Sequence, residues 1–213
     1  IFKIPVVIDF RDEWSFSRQV WENAVKSPLA FLLDRILERF VVQNCSMLVA
    51  VNASYIESLC DAYPQLARSK TKVIPNGYDQ DDFASIKRAV NTGPVVNLVY
   101  AGTVWNGNSL EPLTLALKKL VANQPEYTRR LKVQVYGRIV DSQMSYLQDS
   151  ATEGILQLCG YQDHSVVLSE MFNADVLILS MTDLPGAEKI ILGKVFEYLA
   201  TGRHILAIVP NGE

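Results

Sequence analysis

The chain has 213 residues, of which 49% are hydrophobic and 20% are charged. This composition is that of an ordinary folded protein and excludes a disordered, collagen-like or coiled-coil chain, and the length allows one large domain or two smaller ones. With 20 Lys and Arg against 23 Asp and Glu, the formal net charge is -3. Because such a chain has no bulk positive field to attract phosphate backbone, nucleic acid is not expected as a partner.

The cysteines and the hydropathy pattern indicate the compartment. Cys45, Cys60 and Cys159 lie among apolar neighbours and form no CxxC pair, as expected of buried thiols in a reducing cytoplasm. No run approaches the roughly 18 consecutive apolar residues of a membrane span, and no signal-peptide pattern is visible. The chain begins at Ile1, close to a strand pattern, and stops just after another one, so we expect a fragment of a longer polypeptide.

Short apolar runs alternate with helix-length stretches along the whole chain, a pattern typical of parallel α/β architecture. Several of these runs are apolar throughout, as expected of strands that are covered on both faces. In chain order, the predicted strands are residues 4–10, 46–51, 72–74, 95–100, 131–136, 155–159, 176–180 and 205–209.

Two of the intervening stretches show clear helical spacing. Residues 109–122 place leucines on one face, with Ser109 as a candidate cap and Glu111 in the first turn. Residues 28–43 form the other helix, for which core packing is the default interpretation and contact with a membrane surface the alternative. We expect its apolar residues to face inward and its charged residues outward: Leu29, Leu32, Leu33, Ile36, Phe40 and Val41 against Asp34, Arg35, Glu38 and Arg39.

A polar, acidic stretch followed by the turn-prone residues 91–94 predicts a boundary. It separates a first domain, residues 1–83, from a second, residues 95–213, through a linker at 84–94. The second domain has five predicted strands and four crossovers, enough for most of a doubly wound domain. The first has only three strands, too few for comparable packing.

Ligands of open parallel sheets gather beyond the carboxyl ends of the strands, and the stretch after the strand at 176–180 is the most informative. A loop there leads into a helix on which Gly193, Lys194 and Glu197 share one face. A phosphate at this helix start would meet unpaired N–H groups and the Lys194 charge, and Glu197 could accept hydrogen bonds from sugar hydroxyls. The alternative is a solvated Lys194–Glu197 pair that contributes a few tenths of a kcal/mol to the stability of the fold.

Five ordered strings carry a family resemblance: DFRDEW (9–14), VIPNGYD (73–79), YAGT (100–103), GYQDHSVVLSEMFNADVLIL (160–179) and GKVFEYLATGRHILAI (193–208). Together they resemble the retaining GT-B glycosyltransferases of the large family four, especially bacterial members that build surface polysaccharides. The resemblance implies an α/β fold of the GT-B type with two Rossmann-like domains, the N-terminal one incomplete. It also implies transfer from a nucleoside-diphosphate sugar to a glycan or lipid-linked acceptor without cofactor or metal, with peripheral association at the inner membrane face.

The resemblance assigns donor-binding roles on the last helix. Glu197 matches the second glutamate of the family's paired-glutamate motif, which binds the ribose, and Lys194 and Gly193 lie where the diphosphate comes close. The first glutamate of that motif would fall at Lys189, whereas this chain has Glu188 one position away.

Further donor contacts are implied at other strand ends. Gly102 and Thr103 match the glycine turn at which backbone approaches the donor, although Thr103 also fits a plain turn. Arg138 is a candidate phosphate contact or, alternatively, a solvated arginine. Tyr161 falls where similar proteins hold the base, and His164 is interpreted as a capping or packing residue.

In the first domain, the resemblance makes Asp12 the candidate catalytic residue. A carboxylate there would orient an acceptor hydroxyl or balance charge at the reacting carbon, while Asp9 and Arg11 could simply pair with each other. The turn at Pro75 to Gly77 matches the family's IPNG element, a reverse turn that implies a domain hinge.

Two other classes of function remain open, and a third is disfavoured. A sugar-nucleotide epimerase of the same architecture and a non-catalytic nucleotide-binding module both remain alternatives. A dinucleotide oxidoreductase is disfavoured because no GxGxxG follows any predicted strand.

Overall fold

The computed structural model describes residues 4–12, 14, 27–84, 86, 93–149 and 152–211. The chain divides into two compact units, Ile1–Asn76 and Gly77–Glu213. Among the described residues, the first unit contains one apolar cluster and the second contains two, and each cluster consists of residues of its own unit. Residues 85 and 87–92 of the predicted linker lie outside the described residues.

The first unit contains a parallel sheet of three strands in the order β1-β2-β3. The last three residues of its middle strand, all apolar, are buried. The helix after this strand is capped by Asn52, whose side chain accepts from the Tyr55 amide at 2.8 Å. The elements are β1 (Val7–Phe10), α1 (Pro28–Asn44), β2 (Met47–Ala50), α2 (Ala53–Ala62) and β3 (Thr71–Val73).

The predicted orientation of α1 is wrong. The inner face of this helix carries Glu38, which is fully buried, and Val42. Burial of the Glu38 carboxylate is tolerated because the Tyr63 hydroxyl donates to it at 2.7 Å. Asp34, one turn earlier on the same helix, accepts from the Trp14 indole at 3.3 Å. The apolar face predicted to point inward is largely exposed in this unit: Leu29, Leu32, Leu33, Ile36 and Phe40.

The second unit contains a parallel sheet of five strands in the order β6-β5-β4-β7-β8. Its strands are β4 (Val96–Ala101), β5 (Leu131–Tyr136), β6 (Leu156–Gly160), β7 (Val176–Ser180) and β8 (His204–Ile208). Its helices are α3 (Gln80–Ala84), α4 (Glu111–Asn123), α5 (Asp141–Leu147), α6 (His164–Asn173) and α7 (Lys194–Thr201). Each of the eight predicted strands overlaps an observed one.

Helices cover both faces of this sheet, as the apolar strands predict. Leu113 and Leu117 of α4 belong to the apolar cluster on one face, and Leu168 of α6 and Tyr198 of α7 belong to the cluster on the other. Ser109 lies next to the start of α4, where its hydroxyl accepts from the Glu111 amide at 3.2 Å. None of the described helices has both the length and the apolar character that a membrane crossing would require.

The strand order contains a switch point. From β4 the chain moves outward through β5 and β6, then returns to β7 on the opposite side of β4 and continues to β8. In open parallel sheets, the crevice at such a reversal, outside the carboxyl ends of the two strands, is where ligands bind. The residues that follow β4 and β7 therefore define the candidate site.

Candidate functional site

Glycines end the three adjacent strands on one side of the switch point. Gly102 follows β4 with φ +130°, and Gly137 follows β5 with φ +125°. The two backbones are in close contact, since a Cβ on Gly137 would lie 2.3 Å from the Gly102 carbonyl oxygen. Their amides donate to the next strand at 2.8 Å each, from Gly102 to Tyr136 and from Gly137 to Gly160. The ends of these two strands therefore form a surface of closely packed backbone, with no room for a Cβ on Gly137.

Lys194, the first residue of α7, folds back onto this surface. Its Nζ donates to the Tyr100 hydroxyl at 3.0 Å and lies 4.1 Å from the centroid of the same ring, a cation–π contact. The Tyr100 hydroxyl in turn donates to the Thr103 carbonyl at 3.0 Å. A Cβ on Gly102 would lie 2.8 Å from the Lys194 amine, so the glycine makes room for the cation.

The environment of Lys194 disfavours its charge. Desolvation by burial lowers the pKa of its ammonium group to about 8. Among the ion pairs of the described residues, none includes Lys194. The site therefore holds a partly desolvated cation whose protein contacts are one hydroxyl and one aromatic ring. An anion placed beside it would supply the missing compensation.

Tyr198 fixes α7 at the switch point. Its side chain is fully buried, and its hydroxyl accepts from the Ala101 amide at 3.0 Å and donates to the Ile178 carbonyl at 3.2 Å. One side chain of α7 thus bonds to both β4 and β7. Burial raises the pKa of this phenol, so the hydroxyl keeps its proton and can donate.

Glu197, one turn along α7, forms no ion pair with Lys194 and contacts His164 instead. Its Oε1 lies 3.2 Å from Nε2 of His164 at the start of α6, and the Asp82 carboxylate lies 3.9 Å from Nδ1 of the same imidazole. Among the described residues, no three His, Cys, Asp or Glu side chains are placed to share one metal ion. The Lys194–Glu197 surface pair, the alternative interpretation of the sequence, is therefore not the arrangement that the helix adopts.

The start of α7 offers fewer open amides than the sequence predicted. The Val195 and Phe196 amides already donate to the carbonyls of Leu192 at 3.0 Å and Gly193 at 3.3 Å. Gly193 is exposed and has ordinary helical angles, φ -54° and ψ -38°, so it provides space but no unusual conformation. The charge of Lys194, more than a row of free N–H groups, is the feature of this helix start that favours an anion.

The remaining predicted donor contacts lie at neighbouring strand ends. Arg138 is exposed and follows Gly137, and its carbonyl accepts from the Val104 amide at 2.8 Å. Tyr161 follows β6 and is 84% exposed, which leaves its ring open for stacking. Glu188 is exposed in a 3₁₀ turn, Ala187–Lys189, on the segment between β7 and α7. The roles of these residues stay predictions.

The candidate catalytic region of the first unit contains a built ion pair. The Arg11 guanidinium donates to Asp9 at 2.5 and 2.8 Å, and it also reaches the Ile74 carbonyl at 3.3 Å and the Asn76 side chain at 3.1 Å. These bonds connect the end of β1 to the turn after β3. The structural role that the sequence left as an alternative for Asp9 and Arg11 fits this arrangement. Asp12 is exposed beside a cavity of about 10 Å³, room for at most one water.

Gly137 follows a predicted strand next to Arg138, one of the places at which the sequence predicts ligand contacts. Three other residues of the site have no site role in the sequence-based set. Tyr100 and Tyr198 read as core aromatics, and His164 as a helix-start residue. Their contacts depend on partners 94, 97 and 33 positions away, which spacing within one element does not reveal.

Comparison with solved structures identifies the architecture. No protein-family model and no curated protein matches the chain. A sucrose-phosphate synthase from Thermosynechococcus elongatus aligns with a TM-score of 0.63 and 13% identity, over 97% of this chain and 50% of that one. WaaG, a glycosyltransferase involved in lipopolysaccharide biosynthesis, aligns at 0.61 with 14% identity, over 83% and 48%.

A third structure, TarM from S. aureus solved in complex with UDP, aligns at 0.57 with 10% identity, over 89% of this chain and 34% of that one. The chain thus spans about half, or less, of the length of the structures that it matches. Their common architecture is that of GT-B glycosyltransferases, and the parallel sheets of this chain follow it. The chain has a partial GT-B fold.

Proposed function

We propose that the chain is part of a glycosyltransferase that moves a sugar from a nucleoside-diphosphate sugar to a glycan or lipid-linked acceptor with retention. The observation that carries this proposal is the pair formed by Lys194, which is partly desolvated and has no ion pair among the described residues, and a carboxylate, Glu197, one turn away. Both lie on the helix that starts at the switch point of the sheet.

Each part of a nucleoside diphosphate has a complementary group in this region. The diphosphate would lie against Lys194, for which the described residues supply no carboxylate partner. The ribose hydroxyls would donate to Glu197, whose side chain is 30% exposed. Gly102 would let the donor approach the backbone, with Arg138 and Tyr161 as contacts to phosphate and base.

The same groups would assist the chemical step. As the bond between sugar and diphosphate breaks, negative charge builds up on the leaving oxygen, and a preorganised cation stabilises that charge more in the transition state than in the ground state. Lys194 is already held against Tyr100, so it needs little rearrangement. Asp12 would orient the acceptor hydroxyl or balance charge at the reacting carbon, a role that rests on the family resemblance.

The acceptor class is proposed from two of the structural neighbours. WaaG is described as a glycosyltransferase involved in lipopolysaccharide biosynthesis, and TarM was solved in complex with alpha-GlcNAc-glycerol and UDP. By this likeness we propose a bacterial surface glycan or its lipid-linked precursor as acceptor. Action at the inner face of the membrane is proposed from the family resemblance alone.

Calorimetric titration with UDP, GDP, ADP and NADH tests donor recognition. At least one nucleoside diphosphate should bind, and NADH should not. Lys194→Ala should weaken binding of that diphosphate by about 1–3 kcal/mol while the free nucleoside changes little, because only a charged hydrogen bond to phosphate is lost. Binding of NADH alone would contradict the proposal.

Product analysis distinguishes transfer from the other chemistry open to this architecture. The full-length protein is incubated with one nucleotide sugar in the presence and absence of a glycan acceptor, and the anomeric configuration of the product is determined by NMR. Transfer predicts an acceptor-dependent product with the anomeric configuration of the donor. An altered nucleotide sugar formed without acceptor would instead indicate an epimerase.

A further inference from the structure

We propose that His164 is a positioning residue that holds the Glu197 carboxylate in place for the ribose of the donor. The inference rests on the proposed function, which makes Glu197 the ribose-binding group, and adds a residue for which the sequence suggested only capping or packing.

The contact fixes the position of one proton. Nε2 of His164 lies 3.2 Å from Oε1 of Glu197, and an ionised carboxylate has only acceptor atoms. The proton of the imidazole must therefore be on Nε2, so that His164 donates to Oε1. Oε2 of Glu197, and the second lone pair of Oε1, stay available to accept from the two ribose hydroxyls.

A second carboxylate lies on the other side of the ring. Asp82 lies 3.9 Å from Nδ1 of His164, too far for a hydrogen bond. Asp82 is held there by its neighbour on α3, Phe83, whose ring packs 5.3 Å from Phe172 of α6 and 5.4 Å from Tyr78. The imidazole thus lies between two acidic groups on separate helices.

The simpler roles for a histidine at this place do not account for its position. The cap position of α6 is Asp163, so His164 is the first helical residue and not the cap. Its side chain is 57% exposed, which is unlike a core-packing residue. The contact that distinguishes it is the one to Glu197, on the neighbouring helix α7.

The expected benefit is preorganisation. A glutamate that is 30% exposed on a short helix would otherwise sample several rotamers and would lose that freedom when the ribose binds. With Oε1 already held by His164, part of this loss occurs before binding, so affinity for the ribose hydroxyls rises.

The test compares nucleotides with and without those hydroxyls. The tightest-binding of UDP, GDP and ADP is titrated into the full-length protein, together with its 2′,3′-dideoxy form. We expect His164→Ala to lower the affinity for the diphosphate about 3- to 10-fold, the effect of one hydrogen bond, and to leave the affinity for the dideoxy form unchanged. His164→Gln, which keeps an N–H donor, should restore most of the affinity.

His204→Ala is the matched control, because His204 is the other histidine of the chain and is exposed on β8. It should bind both nucleotides like the wild type. Equal losses for the ribose and dideoxy forms in His164→Ala would show a structural role and overturn the inference, as would an unchanged affinity for both. If none of the three diphosphates binds the wild-type protein, the proposed function itself fails, and the inference fails with it.

Discussion

At the scale of single residues, Lys194 stands out because its surroundings disfavour the charge that its proposed role requires. Its ammonium group has exchanged water for the hydroxyl and ring of Tyr100. The desolvation of this charge destabilises the protein without ligand, and a bound anion would offset that penalty.

Binding of the nucleoside diphosphate should depend on pH through Lys194. Because the pKa of this lysine is about 8, the free protein carries the cation below pH 8 and loses it above. Affinity should therefore fall several-fold as the pH rises from about 7.5 to 9. Calorimetry at several pH values measures this effect. Lys194→Arg, which stays protonated throughout this range, is the control and should show a flat profile; the same decline in both proteins would assign the titration to another group.

Stability should change in the opposite sense to binding. The native pKa is lowered to about 8 from 10.5, so between these values the unfolded chain binds more protons than the native one and stability rises with pH. Below pH 8 the native protein bears the full penalty of the buried charge. Lys194→Met removes that penalty and should raise the free energy of unfolding at pH 7 by about 1 kcal/mol. In chemical denaturation the gain should shrink between pH 8 and 10.5, and a gain that is independent of pH would point to packing instead.

How much of the site could be predicted differs from residue to residue. The spacing on one helix was enough to select Lys194 and Glu197, because both belong to α7 and follow a predicted strand. It suggested that they contact each other, whereas each has a partner on another element, Tyr100 on β4 and His164 on α6. Those partners become visible only when the sheet order brings the ends of β4 and β7 together.

At the scale of elements, the strands were easier to predict than the orientation of α1. The run at 176–180, Val-Leu-Ile-Leu-Ser, is apolar over four consecutive residues, as expected of a parallel strand that is covered on both faces. For α1, hydropathy alone predicts that the wrong face of the helix packs against the core. The buried side carries Glu38, whose desolvation is offset by a hydrogen bond from Tyr63, and such compensation depends on a residue 25 positions away.

The Glu38–Tyr63 contact should therefore contribute strongly to the stability of the first unit. Tyr63→Phe removes the donor and leaves a buried carboxylate oxygen without this hydrogen bond, which should cost about 1–3 kcal/mol. Urea denaturation of the full-length protein, followed by circular dichroism, measures the loss. Tyr146→Phe is the control because Tyr146 is 38% exposed, and its effect should stay within about 0.5 kcal/mol. Equal effects of the two variants would contradict the importance of the buried contact.

The contact between the two strand-end glycines leads to a second prediction at this scale. Gly137→Ala would place a Cβ 2.3 Å from the Gly102 carbonyl oxygen, at a φ of +125°. Gly154 also has a positive φ, +85°, but a Cβ there meets nothing within 4 Å. Gly137→Ala should lower the free energy of unfolding by about 3 kcal/mol more than Gly154→Ala, because only the former adds a steric clash to the backbone strain. Similar losses in thermal denaturation would mean that β4 and β5 can separate at little cost.

At the scale of the whole molecule, the distribution of apolar clusters differs between the two units. The second unit has a cluster on each face of its five-stranded sheet, and both consist only of its own residues. The first has one cluster against three strands, and α1 exposes much of its apolar surface. An extended exposed apolar face is typical of a surface that contacts another surface. The second unit, in contrast, covers both faces of its sheet with its own residues, so it is the one that we expect to fold by itself.

Residues 77–213 should therefore fold without the first unit and keep the proposed donor site. Lys194, Tyr100, Glu197, His164 and Asp82 all belong to this unit, so their contacts do not depend on residues 1–76. We expect the isolated segment to unfold in one cooperative transition and to bind the nucleoside diphosphate within about threefold of the affinity of the full-length protein, a difference below 1 kcal/mol. Calorimetry and thermal denaturation test both points, and Lys194→Ala in the same segment is the control for site-specific binding. A folded segment that has lost the affinity would show that the first unit contributes directly to the donor site, and an unfolded one would show that the two sheet-covering clusters are not sufficient for stability.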